Sequence, residues 1–284
     1  MAESRKCQVL VIGAGPGGYV AGIRSAQLGL DTIVVEGDKA GGTCLIRGCI
    51  PSKAIIHAAE RFESLRQHSA DGGHMGLSVK GEAEVDMVGL VSWKDSIVDR
   101  LNKGVEGLLK AAGADLIKGW ASFDGPKSCT IDTGAGSVKI EAENVIIATG
   151  SSHIDLPFMP CDEEFVISST GALDLEALPK SVAIVGGGYI GLELGCALAK
   201  LGSKITVVEG MSSVLAIMDK EIRRPLEMWL KKHKVTVHTD SLARGVEIKG
   251  RGASKKAELT FEKDGTEHKV KVDKVLVTVG RKPN

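Results

Sequence analysis

Residues 9–37 read VLVIGAGPGGYVAGIRSAQLGLDTIVVEG, and residues 182–210 read VAIVGGGYIGLELGCALAKLGSKITVVEG. The two stretches align without a gap, and twelve of the 29 aligned positions are identical. Each runs from an apolar strand through a glycine turn and a helix-like segment to a second apolar strand that ends in glutamate. This pattern predicts a right-handed βαβ unit in each half of the chain. The fold class is therefore α/β, with two Rossmann-like domains in tandem.

The glycines of the two turns predict a pair of dinucleotide sites. The first glycine makes the tight turn, the second leaves the backbone open to a pyrophosphate, and the third lets the helix pack on the strand. The free N–H groups of the helix N-terminus then face the phosphates. Glu36 and Glu209 follow the first glycine of their turns by 23 residues. Their carboxylates can accept hydrogen bonds from ribose hydroxyls and would repel a 2′-phosphate. The glycines are Gly13, Gly15 and Gly18 in the first turn and Gly186, Gly188 and Gly191 in the second.

The residues between the two stretches carry other patterns. Residues 54–70 and 86–112 are predicted to be helices, and residues 114–150 short strands separated by glycine turns. Apolar residues of the second helix recur at three- and four-residue steps, which predicts a stripe that faces the core. The members of this stripe are Met87, Leu90, Val91, Ile97, Val98, Leu101, Val105 and Leu108.

Residues 41–53, GGTCLIRGCIPSK, contain the only two cysteines that lie close together in the sequence. Cys44 and Cys49 can form a disulfide if the backbone between them curves, because their Cα atoms must come within about 7 Å. Gly48 favours such a curve, and Pro51 suits the first turn of a helix that continues through Lys53. A structural disulfide, half of a zinc site and a redox-active pair beside a flavin are all possible. The redox pair is favoured, because disulfides are rare in the cytosol and zinc would need two more ligands at matching spacing. No metal site is expected.

The cysteine motif, placed after the first glycine turn, resembles that of the flavin disulfide reductases, and the resemblance covers essentially all 284 residues. The run CIPSK at residues 49–53 favours the dihydrolipoamide dehydrogenases within that family, since glutathione reductases typically carry lysine in place of Ser52. Gly191 and Glu209 match the NAD-dependent members. The chain departs from the lipoamide branch at Ile46 and Arg47, where Asn-Val is usual, and Arg47 adds a cation beside both cysteines.

The resemblance implies a role for each of these residues. Cys49 would lie against the flavin, Cys44 would exchange with the substrate disulfide, and Lys53 would stabilise negative charge on the reduced ring, with Glu193 as its acidic partner. FAD would be held by Gly13, Gly15, Gly18 and Glu36, with Gly42 and Thr43 near its phosphates, and NAD by Gly186, Gly188, Gly191 and Glu209. The expected cofactor-binding set also includes Lys53, Thr149, Gly150 and Gly280.

The implied domains are an FAD-binding domain over residues 1–150 and an NAD-binding domain over residues 151–279. Residues 280–284 would begin a return segment to the first domain. The implied activity is oxidation of protein-bound dihydrolipoamide, with NAD as the final acceptor. The alternatives are a mercuric or other NADH-dependent disulfide reductase, and a nucleotide-binding module without turnover. Because the family's C-terminal domain supplies a catalytic histidine and most of the dimer interface, residues 1–284 alone are expected to be inactive.

Composition and charge set the expected partners and location. Lysine plus arginine equals aspartate plus glutamate, 36 each, and no tail is strongly basic, so neither nucleic acid nor a membrane surface is expected as a partner. No apolar signal-peptide core precedes the first strand, which favours a cytoplasmic protein. The resemblance implies a homodimer at full length, and lipoyl domains of 2-oxo acid dehydrogenase complexes as partners.

Overall fold

The computed structural model describes residues 3–69 and 74–284, and the chain forms two compact units. Residues 3–51, 95–152 and 283–284 make up the first unit, and residues 52–94 and 153–282 make up the second. The sequence prediction instead assigns residues 52–94 to the first half of the chain. Their apolar side chains explain the difference, because Ile55, Ala59 and Met87 belong to the same buried cluster as Val182 and Leu198. Which nucleotide each unit binds stays a prediction.

The first half of the chain contains six strands and four helices within its described residues. In chain order they are β1 (Glu3–Ile12), α1 (Pro16–Gln27), β2 (Thr32–Glu36), α2 (Gly42–Arg47), α3 (Cys49–Ser69), α4 (Met87–Ala112), β3 (Asp115–Lys118), β4 (Trp120–Gly125), β5 (Ser128–Asp132) and β6 (Ser137–Ile147).

The sheet of the first unit has the strand order β3-β2-β1-β6-β5-β4. Strands β3, β2, β1 and β6 run parallel, and β5 and β4 complete the sheet as antiparallel strands. Successive residues of β1 are apolar because both faces of the sheet are covered. Val11 packs into one buried cluster with Val34 and Leu109, whereas Leu10 packs into another with Ile33. Strand β1 lies between β2 and β6, so its carboxyl end is the switch point where nucleotides bind in such sheets.

The elements that follow belong to the second unit or to the connections between the units. They are β7 (Ser151–His153), β8 (Val166–Ile167), α5 (Ser169–Leu173), β9 (Ser181–Val185), α6 (Tyr189–Leu201), β10 (Lys204–Val208), α7 (Lys220–Lys232), β11 (Thr236–His238), β12 (Ser241–Lys249), a 3-10 turn (Gly252–Ser254), β13 (Lys256–Lys263), β14 (Thr266–Val272), β15 (Lys274–Val277) and β16 (Arg281–Pro283).

The sheet of the second unit is parallel throughout, with the order β11-β10-β9-β15-β8. Ile184 on one face joins the cluster that α6 covers. Ala183 and Val185 on the other face pack against Leu259 and Phe261 of an antiparallel meander, β12-β13-β14. Strands β16 and β7, which carry the chain between the units, pair in a two-stranded sheet. These sheets and their crossover helices confirm the predicted α/β fold class.

The predicted apolar stripe on α4 is only partly correct. Met87, Val98 and Val105 are buried as expected, but Leu101 and Leu108 are exposed. The buried face instead includes Leu109 and two polar side chains, because hydrogen bonds satisfy those polar groups inside the protein. The two polar residues are Lys94, whose Nζ donates to the Leu173 carbonyl and to Asp174, and Asn102, whose Nδ2 donates to the Ala40 carbonyl. Among the described helices, none is both long and apolar enough to cross a membrane.

Candidate functional site

The first and third glycines of the first turn are required by the chain's own backbone. Gly13 has a φ of +99°, and a Cβ there would lie 2.3 Å from the Ala148 carbonyl oxygen. A Cβ on Gly18 would lie 1.7 Å from the Gly13 carbonyl oxygen. Any side chain at either position would therefore displace backbone, which limits both positions to glycine.

The second turn repeats this geometry with different partners. Gly186 has a φ of +100°, and its missing Cβ faces the Thr278 carbonyl oxygen at 2.6 Å. A Cβ on Gly191 would lie 2.7 Å from the Gly186 carbonyl oxygen. Ala148 follows β6 and Thr278 follows β15, so a neighbouring parallel strand closes each turn. The structural repeat therefore extends beyond the two aligned sequence stretches.

The middle glycines face open space. The nearest described atom to a Cβ on Gly15 would be the Gly42 Cα at 3.6 Å, and a Cβ on Gly188 would meet no described atom within 4 Å. Each of these glycines is the N-cap of its helix, α1 or α6, and no side chain in the described part of the chain caps either helix. The N-terminal N–H groups of both helices are therefore available to an external acceptor, and the open space admits a pyrophosphate.

Glu36 and Glu209 are held by equivalent hydrogen bonds. The Glu36 carboxylate accepts the N–H of Ala14 at 2.7 Å and that of Asp38 at 2.9 Å. The Glu209 carboxylate accepts the N–H of Gly187 at 2.5 Å and that of Met211 at 2.7 Å. Each carboxylate oxygen retains a lone pair after these bonds, so it can still accept a ribose hydroxyl. These carboxylates, together with the open middle glycines, fit two dinucleotides.

The segment after β2 approaches the first turn closely. The Gly41 N–H donates to the Ala14 carbonyl at 2.7 Å. A Cβ on Gly42, whose φ is +60°, would lie 2.4 Å from the Gly15 Cα. Thr43 follows as the second residue of α2. The predicted phosphate residues Gly42 and Thr43 therefore lie beside the glycine turn, although their role as ligands stays a prediction.

Cys44 and Cys49 form a disulfide, with their Cα atoms 4.6 Å apart. Cys44 lies in α2 and Cys49 is the first residue of α3. Gly48 allows the bend between the two helices, because a Cβ there would lie 2.8 Å from the Thr43 carbonyl oxygen. Cys49 is exposed, whereas Cys44 is half-buried. The sequence predicts that Cys49 lies against the flavin. A bound flavin would then have to cover this exposed residue.

Lys53 lies one turn after Cys49 on α3 and forms an ion pair with Glu193 of α6. Its Nζ donates to both carboxylate oxygens, at 2.8 and 2.7 Å. The Lys53 side chain is 58% exposed and that of Glu193 36% exposed, so the pair fixes the position of the ammonium group while contributing little stability. Arg47 is paired as well, with Asp38, so a carboxylate balances the extra cation beside the cysteines.

The remaining predicted cofactor residues, Thr149, Gly150 and Gly280, lie just after β6 and β15. Gly150 and Gly280 have φ values of +74° and +133°. Thr149 is exposed, and its Oγ1 donates to the Asn284 carbonyl at 3.1 Å. The Asn284 side chain accepts a further hydrogen bond from Ser152 Oγ at 2.6 Å. No short-range sequence pattern predicts these contacts, because the partners lie far apart in the sequence.

Four other cysteines, Cys7, Cys129, Cys161 and Cys196, are free. Burial raises the pKa of the Cys7 and Cys196 thiols to about 11. Burial, with nearby carboxylates, raises the pKa of Cys161 to about 12, and burial also raises that of Cys129. These thiols are therefore protonated near neutral pH and react slowly with electrophiles.

Comparison with known proteins gave consistent results. The profile of the family described as pyridine nucleotide-disulphide oxidoreductase matches residues 7–284. Dihydrolipoyl dehydrogenase of Pseudomonas aeruginosa is 44% identical over 284 residues, which are 100% of this chain and 59% of that protein. Dihydrolipoyl dehydrogenase of Geobacillus stearothermophilus is 42% identical over 277 residues, which are 98% of this chain and 57% of that protein. The crystal structure of LpdA from Mycobacterium tuberculosis is similar at a TM-score of 0.85 and 26% identity, over 98% of this chain and 59% of that one. The chain thus spans less than two thirds of the length of these relatives.

Proposed function

Because the chain belongs to the pyridine nucleotide-disulphide oxidoreductase family, we propose that it carries the nucleotide sites and the redox disulfide of a dihydrolipoyl dehydrogenase. The whole protein would oxidise dihydrolipoamide with NAD as the final acceptor. The main support for the proposal is the Cys44–Cys49 disulfide. It joins the start of α3 to the segment after β2 that lies beside the first glycine turn. The relatives at 42–44% identity, both dihydrolipoyl dehydrogenases, support the choice of substrate.

Members of this family use FAD and NAD(H), and the two units would divide these cofactors between them. The first turn, with Glu36, would bind FAD, and the second turn, with Glu209, would bind NAD. In each unit the helix N-terminus would hold the pyrophosphate and the glutamate would accept the ribose hydroxyls. When bound, the flavin would supply two-electron transfer between the cysteine pair and the nicotinamide.

The cysteine pair would react with the dithiol by thiol–disulfide exchange. A substrate thiolate would attack Cys44 Sγ, a new S–S bond would form, and the Cys44–Cys49 bond would break with Cys49 leaving as a thiolate. The second substrate thiol would then displace Cys44, which releases the substrate as a disulfide and leaves both cysteines reduced. Cys49 suits the leaving role because the N-terminus of α3 stabilises a negative charge on its sulfur.

Lys53 would act from one turn further along the same helix. Its ammonium would stabilise negative charge that develops on the reduced centre. Glu193 would orient that ammonium through its two hydrogen bonds and would therefore be a positioning residue.

Location and partners are part of the same proposal. The four free cysteines suit a reducing compartment, so we propose a cytoplasmic protein. A dihydrolipoyl dehydrogenase would receive its substrate from lipoyl domains of 2-oxo acid dehydrogenase complexes, and the complete protein would be a homodimer.

The half-reaction from NADH to the disulfide tests the proposal on this chain. Anaerobic incubation with FAD and NADH should raise the number of thiols titrated after denaturation by two, from the four free cysteines to all six. The Cys44→Ser/Cys49→Ser double variant should show no increase under the same conditions. A count that stays at four in the wild type, with both nucleotides shown to be bound, would exclude the disulfide as an electron acceptor.

A steady-state assay of the complete protein tests the choice of substrate. NADH formation should be faster with dihydrolipoamide than with glutathione, and NADPH oxidation by Hg²⁺ should be negligible. Preference for glutathione or for mercury would assign the chain to another branch of the family.

A further inference from the structure

Three potential metal ligands of different chemistry meet at the start of the second unit. The His153 imidazole, the Asp155 carboxylate and the Cys161 thiol each present one ligand atom, and these atoms all lie within 4.8 Å of one another. His153 ends β7, and the other two residues lie on the loop between β7 and β8. This group lies outside the segments assigned above to nucleotide binding or disulfide exchange.

Two donors of the group have the separation expected of ligands in a tetrahedral zinc site. Zinc binds imidazole nitrogen and carboxylate oxygen at about 2.0–2.2 Å and thiolate sulfur at about 2.3 Å. His153 Nε2 and Asp155 Oδ1 are 3.3 Å apart, which suits two ligands of one tetrahedral ion. Cys161 Sγ lies at most 4.8 Å from each of these two donors, so its side chain would have to move toward them to bind the same ion.

The loop between these ligands is held in place. Met159 donates its N–H to the Leu156 carbonyl at 2.8 Å, and its side chain is buried in the cluster under the meander. Cys161 and Leu156 pack against the same cluster. The backbone N–H of Cys161 also contacts Asp155 Oδ1 at 3.5 Å. Packing therefore holds the loop that carries these side chains before any ion binds, which lowers the entropy cost of binding.

The surroundings of Cys161 are acidic. Asp155, Asp162 and Glu163 all lie close enough to the thiol to act on it electrostatically. Asp162 accepts three backbone N–H groups, and Glu163 accepts that of Ser168, so hydrogen bonds to the backbone hold both carboxylates in place. This group of carboxylates favours a divalent cation at the same place.

We propose that His153, Asp155 and Cys161 bind one Zn²⁺ ion, with water as the fourth ligand. Binding transfers the Cys161 thiol proton to solvent and forms a zinc–thiolate bond without any change of oxidation state. The mixed nitrogen, oxygen and sulfur donors favour zinc over magnesium or calcium, which prefer oxygen ligands alone. The ion would brace the segment that leads from β7 into β8.

Zinc titration of the full chain tests this site. We would use the Cys44→Ser/Cys49→Ser background, because a reduced cysteine pair also binds zinc, and measure competition with a chromophoric chelator at pH 7.5. One ion should bind per chain, and magnesium should not displace it. Cys161→Ser and His153→Ala should each weaken binding at least tenfold. Cys196→Ser and His57→Ala are the matched controls and should leave the affinity unchanged.

Two further measurements show which atoms bind the ion. X-ray absorption should find one sulfur at about 2.3 Å and nitrogen or oxygen ligands at about 2.0–2.2 Å. Calorimetry in two buffers of different ionisation enthalpy should show release of about one proton per ion. If Cys161→Ser does not fold, His153→Ala and Asp155→Asn decide, since both side chains are partly exposed. Binding below one ion per chain, equal affinity in these variants, or a spectrum without sulfur would overturn the proposal.

Discussion

Alanine at two positions of the same glycine turn should have opposite effects on folding and on nucleotide binding. At Gly186 the backbone has a φ of +100°, and the new methyl group would lie 2.6 Å from the Thr278 carbonyl oxygen. A left-handed backbone costs an ordinary residue about 1–2 kcal/mol, and overpacking against rigid atoms adds about 1–3 kcal/mol. Gly186→Ala should therefore lower the free energy of unfolding of the second unit by about 2–5 kcal/mol.

Gly188→Ala should leave the fold intact. Its φ is −77°, which alanine adopts freely, and the methyl group would meet nothing within 4 Å. Reduced freedom of the unfolded chain should even stabilise the protein, by about 0.4–1 kcal/mol. The methyl group would, however, fill the space through which a pyrophosphate approaches the backbone. NADH affinity should therefore fall at least tenfold, which corresponds to about 1.4 kcal/mol.

Urea unfolding and NADH titration of the two variants separate these effects. A Trp120→Phe background leaves Trp93 and Trp229 of the second unit as the fluorophores, so the unfolding curve reports on that unit. Calorimetry gives the NADH dissociation constant. If Gly188→Ala bound NADH as tightly as the parent, the turn would not be a pyrophosphate site. If Gly188→Ala were as unstable as Gly186→Ala, the space beside Gly188 would not be open.

Three further predictions concern single side chains. The complete protein should prefer NAD over NADP at least tenfold in kcat/KM, because the Glu209 carboxylate repels a 2′-phosphate. Glu209→Arg should reduce that preference. Equal kcat/KM values for the two nucleotides in the wild type would contradict this role of Glu209. Burial and nearby cations lower the pKa of His238 below its ordinary 6.5. The unfolded chain therefore binds this proton more readily than the folded chain does. The free energy of unfolding of the second unit should fall as the pH drops below about 6.5. In His238→Gln the urea midpoint should depend less on pH, whereas the control His57→Gln, at an exposed position, should keep the full pH dependence. An unchanged pH dependence in His238→Gln would show that His238 is not its source. The two ring nitrogens of His233 each lie 2.9 Å from an oxygen atom, one from the Trp229 carbonyl and the other from the Glu63 carboxylate. Glu63→Gln should therefore lower the free energy of unfolding by about 1–3 kcal/mol. A change below about 0.5 kcal/mol would contradict that estimate.

The parts of the fold that sequence predicts well are those fixed by local chemistry. The glycine turns at Gly13 and Gly186 can be predicted because only glycine fits a left-handed backbone that lies against a carbonyl oxygen. The Cys44–Cys49 pair can be predicted because a separation of five positions, with Gly48 between the cysteines, allows the disulfide to form. The parallel strands follow from continuous apolar runs such as residues 9–12, which require cover on both faces.

The parts that sequence missed depend on long-range contacts. Apolar spacing placed Leu101 and Leu108 on the inner face of α4, but Lys94 and Asn102 take positions there because distant carbonyl oxygens accept their hydrogen bonds. The ligands His153, Asp155 and Cys161 escaped notice for a similar reason. A loop, and not a helix or strand, brings them together, so no periodic spacing marks them.

Each of the two glycine turns is completed by the end of a neighbouring strand that lies far away in the sequence. The Ala148 carbonyl meets Gly13, and the Thr278 carbonyl meets Gly186, so neither cradle exists until the chain between these residues has folded. The nucleotides would thus bind only after these two strands have paired, and at 100 times its dissociation constant each would stabilise that pairing by about 2.7 kcal/mol. Nucleotide affinity would then report whether the two central strands of each sheet, distant in the sequence, have paired. A peptide of residues 9–37 or 182–210 carries the whole motif without the site.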